Sequence, residues 1–302
     1  MDKARTYTFR PVAACDMCLS KDFGLLGLRL NQQQGKNPKA VPGVAVSVKQ
    51  CRNCTLIFAD PQPVPHSIED HYGMPPEEYW THQPFEWTPD YYRHEIAAAK
   101  RLLPFQKGMR ALDVGVGQGK GMHSLVHAGF EAWGIEPSKA FYDRATQTFD
   151  ASRIQNKTME EADFPAGYFD FVMFSAVLEH LFSPSESLRR AVSWIKPGGI
   201  IQAEVPASNY LITKLLNRFF ALRGTNYVGH ISPMHPPFHL YEFGLKSFEE
   251  NARINGYEVA EFRLKVADTP IIPRPIRPFL DWWMRRSESG MQLHVYLRKP
   301  AV

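Results

Sequence analysis

The chain has 302 residues, 44% of them hydrophobic and 22% charged, with a net charge of +4. That length holds one substantial core with a small appended module, and the composition is that of a globular protein, not a disordered or fibrous one. No apolar run approaches the ~20 residues of a membrane-spanning helix, and so mild a charge argues neither for nor against nucleic acid.

The N-terminus, Met1-Asp2-Lys3-Ala4-Arg5, leads into no apolar core of the signal-peptide kind, so a cytoplasmic location is expected. All four cysteines then fall in two pairs, Cys15-Asp-Met-Cys18 and Cys51-Arg-Asn-Cys54. Two such knuckles supply four thiolates to one tetrahedral zinc ion. Four sulfurs fill its coordination sphere, which makes the metal structural. A disulfide pair is disfavoured in a reducing cytosol. A thioredoxin-like motif needs only one pair and a following helix. Between the knuckles, Gly35, Asn37-Pro38 and Pro42-Gly43 read as turns between strands. Residues 1–60 are therefore expected to form a zinc ribbon, with a core separate from the rest of the chain. Residues 61–104 are a connector. It is entered through the proline-rich Ala59–Pro65 join and holds a short helix at His66–His71, an irregular stretch Tyr72–Trp87, and a helix over Asp90–Leu103 that Pro104 stops.

From residue 105 strands and helices alternate. Strands are expected at 110–114, 131–135, near 152–155, 169–175 and 200–205. Helices are expected at 120–128, 138–148 and Ser185–Ile195, the last ended by Lys196-Pro197-Gly198-Gly199. This pattern is a doubly wound α/β sheet with its ligand at the carboxyl ends of the strands. Asp113 closes the first strand, and Gly115, Gly117 and Gly119 follow it into a helix. Glycines let a backbone approach a ligand closely. A dinucleotide fingerprint needs a glycine at position 120, which is Lys120, and a P-loop fails at Val114 and Gly121. Glu136 ends the second strand, where its carboxylate can accept both hydroxyls of a ribose. A cradle of this kind without a phosphate device points to S-adenosylmethionine (SAM).

Residues 206–243 break the alternation and read as a lid over a substrate. They include a helix-like piece at Tyr210–Leu222 and the histidines His230, His235 and His239. A helix at 245–255, a strand at 257–266 and a last strand at Gln292–Arg298 follow, while Pro270–Gly290 has no clear assignment. The basic cluster Arg274, Arg277, Arg285, Arg286, Arg298 and Lys299 fits a solvated face or a phosphate-bearing substrate.

Residues 105–302 resemble the class I SAM-dependent methyltransferases. The resemblance lies in Leu112–Gly119, Gly134-Ile135-Glu136-Pro137-Ser138, Phe169–Val172 with Leu178-Glu179-His180-Leu181, and Ile195–Gly199. It implies a seven-stranded Rossmann-like sheet of order 3-2-1-4-5-7-6, with strand seven antiparallel. The cysteine module, the Cys54–Pro63 join and Pro236-Pro237-Phe238-His239-Leu240-Tyr241-Glu242-Phe243 resemble zinc-ribbon methyltransferases of bacterial polysaccharide and natural-product gene sets. Those enzymes mostly methylate sugars or small metabolites. The sugar C-methyltransferases of this type carry a long C-terminal extension that these residues lack, so O- or N-methylation is expected.

The resemblance places Asp113 and the Gly115–Gly119 loop at the methionine end of SAM, and Glu136 at its ribose. Thr158 and Met159 border the adenine, and the Ser175 carbonyl faces the amino group. A hydroxyl acceptor needs a base, and histidine suits neutral pH. His180, just past the fourth strand, and His239, in the lid, are the candidates. Glu179-His180 also resembles part of a metal set in quinone O-methyltransferases, but Ala176 stands where a further carboxylate is needed. His123 and His127 are spaced for a metal on a helix, although a packing role fits better. Residues 1–60 hold nine Lys/Arg against four Asp/Glu without a dense cluster, which favours a small-molecule or glycan substrate over RNA. The acceptor and the oligomeric state stay open.

Overall fold

The computed structural model describes residues 7–31, 44–66, 88, 90–229, 231–234, 239–266 and 275–301. Outside them lie the turns at Gly35, Asn37-Pro38 and Pro42-Gly43, and most of the His66–His71 helix. So do Tyr72–Trp87, His230, His235 and Pro236–Phe238.

A seven-stranded sheet forms the centre. It is built from β6 (Arg110–Val114), β7 (Glu131–Ile135), β8 (Ile154–Gln155), β9 (Phe169–Ser175), β10 (Ile195–Pro206), β12 (Glu258–Lys265) and β13 (Gln292–Arg298). Their order across the sheet is β12-β13-β10-β9-β6-β7-β8, and β13 runs antiparallel to both neighbours. This is the arrangement that the resemblance implies. Six residues of Phe169–Ser175 are buried, as expected of a strand covered on both faces. The Pro-Gly-Gly turn at 197–199 becomes an irregularity inside β10, where the pairing jumps from Ile195 to Ile200.

Two core clusters mark the two faces. One holds Ile200, Phe171 and Tyr296 against α1 (Arg93–Leu102) and α2 (Lys120–His127), through Ile96, Ala99, Met122 and Leu125. The other holds Val172, Phe174, Ile201, Leu293 and Leu297 against α4 (Pro184–Trp194) and α6 (Leu245–Asn255). Helix α3 (Lys139–Ala145) follows β7, and α5 (Leu211–Leu222) lies in the insertion. The unassigned stretch before β13 contains α7 (Arg277–Arg286), whose Met284 packs on Tyr210 and Ile212.

The cysteine module is built from β1 (Tyr7–Arg10), β2 (Phe23–Asn31), β3 (Val44–Cys51), β4 (Ile57–Asp60) and β5 (Gln62–Pro65). Its core is not separate. Cys15, Met17, Cys51, Cys54, Leu56 and Phe58 belong to the same cluster as Phe243, Phe248 and the sheet residues Val172 and Val205. A two-residue strand of the insertion, β11 (Tyr241–Glu242), pairs with β4 and completes a sheet of order β11-β4-β3-β2. On the opposite edge Leu28 N–H donates to Asn226, and Val228 N–H donates back to Leu28. The insertion therefore covers both edges of this small sheet, whose unpaired N–H and C=O groups would otherwise face solvent.

Candidate functional site

Asp113, Gly115–Gly119 and Glu136 meet at the carboxyl ends of β6 and β7. Gly115, Gly117 and Gly119 all have positive φ, at 76°, 54° and 90°, which L side chains resist. Gly121, which the sequence reading passed over, is equally constrained. A Cβ there would stand 2.3 Å from an Asp113 carboxylate oxygen. Asp113 is thus held against the first turn of α2, where the N–H of Met122 serves it. Burial drives its carboxyl well above the usual range. Glu136 Oε2 accepts from Gly117 N–H at 2.7 Å and Oε1 from Ser138 N–H at 2.9 Å. Burial pushes its carboxyl up to about 7 against those two bonds. A carboxylate offers about four lone-pair sites, so each oxygen keeps room for a ribose hydroxyl. The open glycine loop and the half-satisfied Glu136 fit SAM.

The remaining candidates separate. Met159 is 3% exposed and packs in the second core cluster. Thr158 closes a local turn through Glu161. Ser175 ends β9 beside Glu204 of β10, level with the nucleotide loop. Tyr92, just before α1, was not singled out from the sequence. Burial, then the charges of Asp113 and Glu204, push its phenol upward, which places it among these carboxylates. Its approach depends on how α1 packs, and no local motif signals that.

His180 and His239 come together, with ring centroids 4.4 Å apart and ring planes at 83°. Leu240 N–H donates to the Glu179 carbonyl, so the insertion is pinned to the segment after β9. Ser232 Oγ lies 2.6 Å from His239 Nδ1. Ligating atoms of Glu179, His180 and His239 fall within 4.8 Å of one another. Burial pushes the Glu179 carboxyl up to about 8, and its Oε2 has no hydrogen-bond partner among the described residues. His123, by contrast, packs its ring against Phe149, with centroids 4.5 Å apart and planes at 54°.

The four cysteine sulfurs converge within 4.8 Å of one another. Cys15 Sγ lies 3.4 Å from Cys54 Sγ, and Cys18 Sγ 3.5 Å from Cys51 Sγ. Tetrahedral ligation at about 2.3 Å per sulfur needs separations of about 3.8 Å, so the cluster can hold such an ion. The two knuckles match: the residue after each, Leu19 and Thr55, is left-handed, and its N–H returns to the carbonyl of the first cysteine. The contact with Cys54, and then burial, push the Cys15 thiol up, and the same contact pulls the Cys54 thiol down.

A family model described as a methyltransferase domain matches residues 79–261. The chain belongs to this methyltransferase family. The cysteine module precedes the matched stretch. It is similar to the ubiquinone biosynthesis O-methyltransferase of Caulobacter vibrioides, 29% identical over 202 residues, or 65% of this chain and 74% of that one. The same-named protein of Bradyrhizobium diazoefficiens is 31% identical over 105 residues, 33% of this chain and 41% of the relative. The trans-aconitate 2-methyltransferase of Deinococcus radiodurans is 27% identical over 150 residues, covering 44% and 56%. The chain thus spans well under two thirds of several relatives it matches. Among solved structures the cyclase SpnF superposes with a TM-score of 0.50 at 15% identity, covering 74% of this chain and 86% of that one. That likeness concerns the fold. No described helix is long and apolar enough to cross a membrane.

Proposed function

We propose that this methyltransferase moves the methyl group of SAM to a hydroxyl of a sugar, glycan precursor or related small metabolite. His180 or His239 serves as base, and a structural zinc ion sits on Cys15, Cys18, Cys51 and Cys54. The observation that carries the reading is the contact of the two histidines past the end of β9, beside Glu179. Methyl transfer is an in-line displacement that needs proximity and, for a hydroxyl, a proton acceptor. An imidazole at this position supplies that acceptor. The names of the curated relatives, O-methyltransferases among them, support an oxygen acceptor. The insertion 206–243 supplies His239 and acts as the lid.

The test is a screen of SAM consumption against nucleotide-linked sugars and lipid-linked glycans, repeated with His180→Ala and His239→Ala. Loss of a general base costs about 10²–10⁴ in rate. One of the two variants is expected to lose turnover on that scale while binding SAM normally. Near-normal turnover in both would remove the base from the proposal and favour proximity alone or an amine acceptor.

A further inference from the structure

A polar row crosses three strands next to the cofactor loop. Ser175 pairs with Glu204 across β9 and β10, and Glu204 pairs with His294 across β10 and β13. Directly paired residues share one face of a sheet. Here it is the face under α1, where Ile200 and Tyr296 of the same strands pack with Ile96 and Ala99. Val114 pairs with Phe174, so Gly115 follows on level with Ser175. Glu204 then stands two strands from the cofactor loop, about 10 Å at the usual strand spacing. Helix α1 lays Glu95 over the row. Ligating atoms of Glu95, Glu204 and His294 lie within 4.8 Å of one another, with Glu95 Oε1 3.5 Å from His294 Nδ1.

The surroundings ask for a cation. His294 is 4% exposed, so its imidazole faces the two carboxylates away from bulk solvent. Burial raises the Glu204 carboxyl, so its ionised form needs a positive partner at close range. Lys265 and Arg263, the latter paired across the strands with His294, both act on the row, yet no ion pair among the described residues joins either of them to Glu95 or Glu204. An independent sign comes from Gln202, two residues before Glu204 on the same face. It is fully buried, and neither its amide oxygen nor its nitrogen has a hydrogen-bond partner among the described residues. A hydrated ion in the row above would offer it water.

We propose that Glu95, Glu204 and His294 bind a divalent first-row transition ion between the cofactor loop and β13. Two carboxylates and one imidazole form a mixed oxygen and nitrogen set suited to manganese, iron or zinc. Three protein ligands leave positions open for water or for acceptor oxygens. The site is distinct from the four cysteines and from Glu179, His180 and His239, whose neighbours Leu178 and Leu240 pack in the other core cluster. Ion binding here does not depend on which acceptor is methylated.

The experiment titrates Mn²⁺ into the full chain as purified, reading free Mn²⁺ by its electron paramagnetic resonance signal. One Mn²⁺ per chain should disappear from the free signal. Glu204→Gln and Glu95→Gln should each weaken uptake by about tenfold or more, while Glu179→Gln leaves it unchanged. Unaltered SAM affinity shows that a variant is folded. If Glu204→Gln does not fold, Glu95→Gln on α1 carries the comparison. No uptake by the unaltered chain, uptake that survives in folded Glu95→Gln or Glu204→Gln, or loss confined to Glu179→Gln would each overturn the assignment.

Discussion

At the scale of single residues, the proposed cofactor site turns on Glu136. Its carboxylate is already held by Gly117 and Ser138, so a ribose adds bonds to a group fixed in place. Glu136→Ala should weaken SAM binding by roughly 2–4 kcal/mol, the worth of two charge-assisted hydrogen bonds, as calorimetry can measure. Those bonds need the ionised form, and the free carboxyl titrates near 7. SAM affinity should therefore rise as pH climbs toward 7 and level off above it. Glu136→Gln should flatten the part of that slope that Glu136 contributes. Asp113 and Glu136 were legible in the sequence because each closes a strand before a turn. Gly121 was not, since its constraint exists only once Asp113 folds back on α2. Met159, expected to border the adenine, is buried in a core cluster, and its place in the sequence does not say which way its side chain points.

At the scale of elements, the cysteine knuckles are fastened to the methyltransferase fold. Asp16, between Cys15 and Cys18, accepts from Ser185 N–H at 2.7 Å and Ser183 Oγ at 2.9 Å, and so caps α4. Asn251 and Ser247 of α6 donate to the carbonyls of Met17 and Cys54. Asp16→Ala should cost about 1–2 kcal/mol in urea unfolding, the usual worth of a helix cap, although Asp16 belongs to neither α4 nor the sheet. Metal analysis should find one zinc ion per chain. Chelating it should speed proteolysis within the insertion as well as within the cysteine module, because β11 is paired to β4 and both share a core. Cleavage confined to residues before β5 would instead show two independent units. The knuckles themselves were plain in the spacing. Their caps were not, because one aspartate between two cysteines carries no mark of the helix it meets about 170 residues later.

At the scale of the whole molecule, buried carboxyls tie stability to pH. Burial raises Glu136 to about 7 and Glu179 and Glu242 to about 8, each from 4.5. The folded chain then holds protons that the unfolded chain releases near 4.5. Their contribution to stability is complete below that pH and is lost as pH rises through 7–8. Glu179→Gln cannot ionise, so its melting temperature relative to the unaltered chain should improve steadily from pH 5 to pH 8.5. A constant gap across that range would place the Glu179 titration elsewhere.

The sequence by itself determined the sheet, the glycine loop after its first strand and the cysteine set. These rest on local chemistry: alternating apolar periods, glycines where the backbone must turn, and paired ligands at fixed spacing. Only the tertiary structure decided what those pieces meet. It joined the cysteine module and the insertion into one small sheet, brought His180 to His239, and set Glu95 against Glu204 and His294. Each of these contacts spans a long stretch of chain and depends on helix packing and strand register, which short-range patterns do not encode.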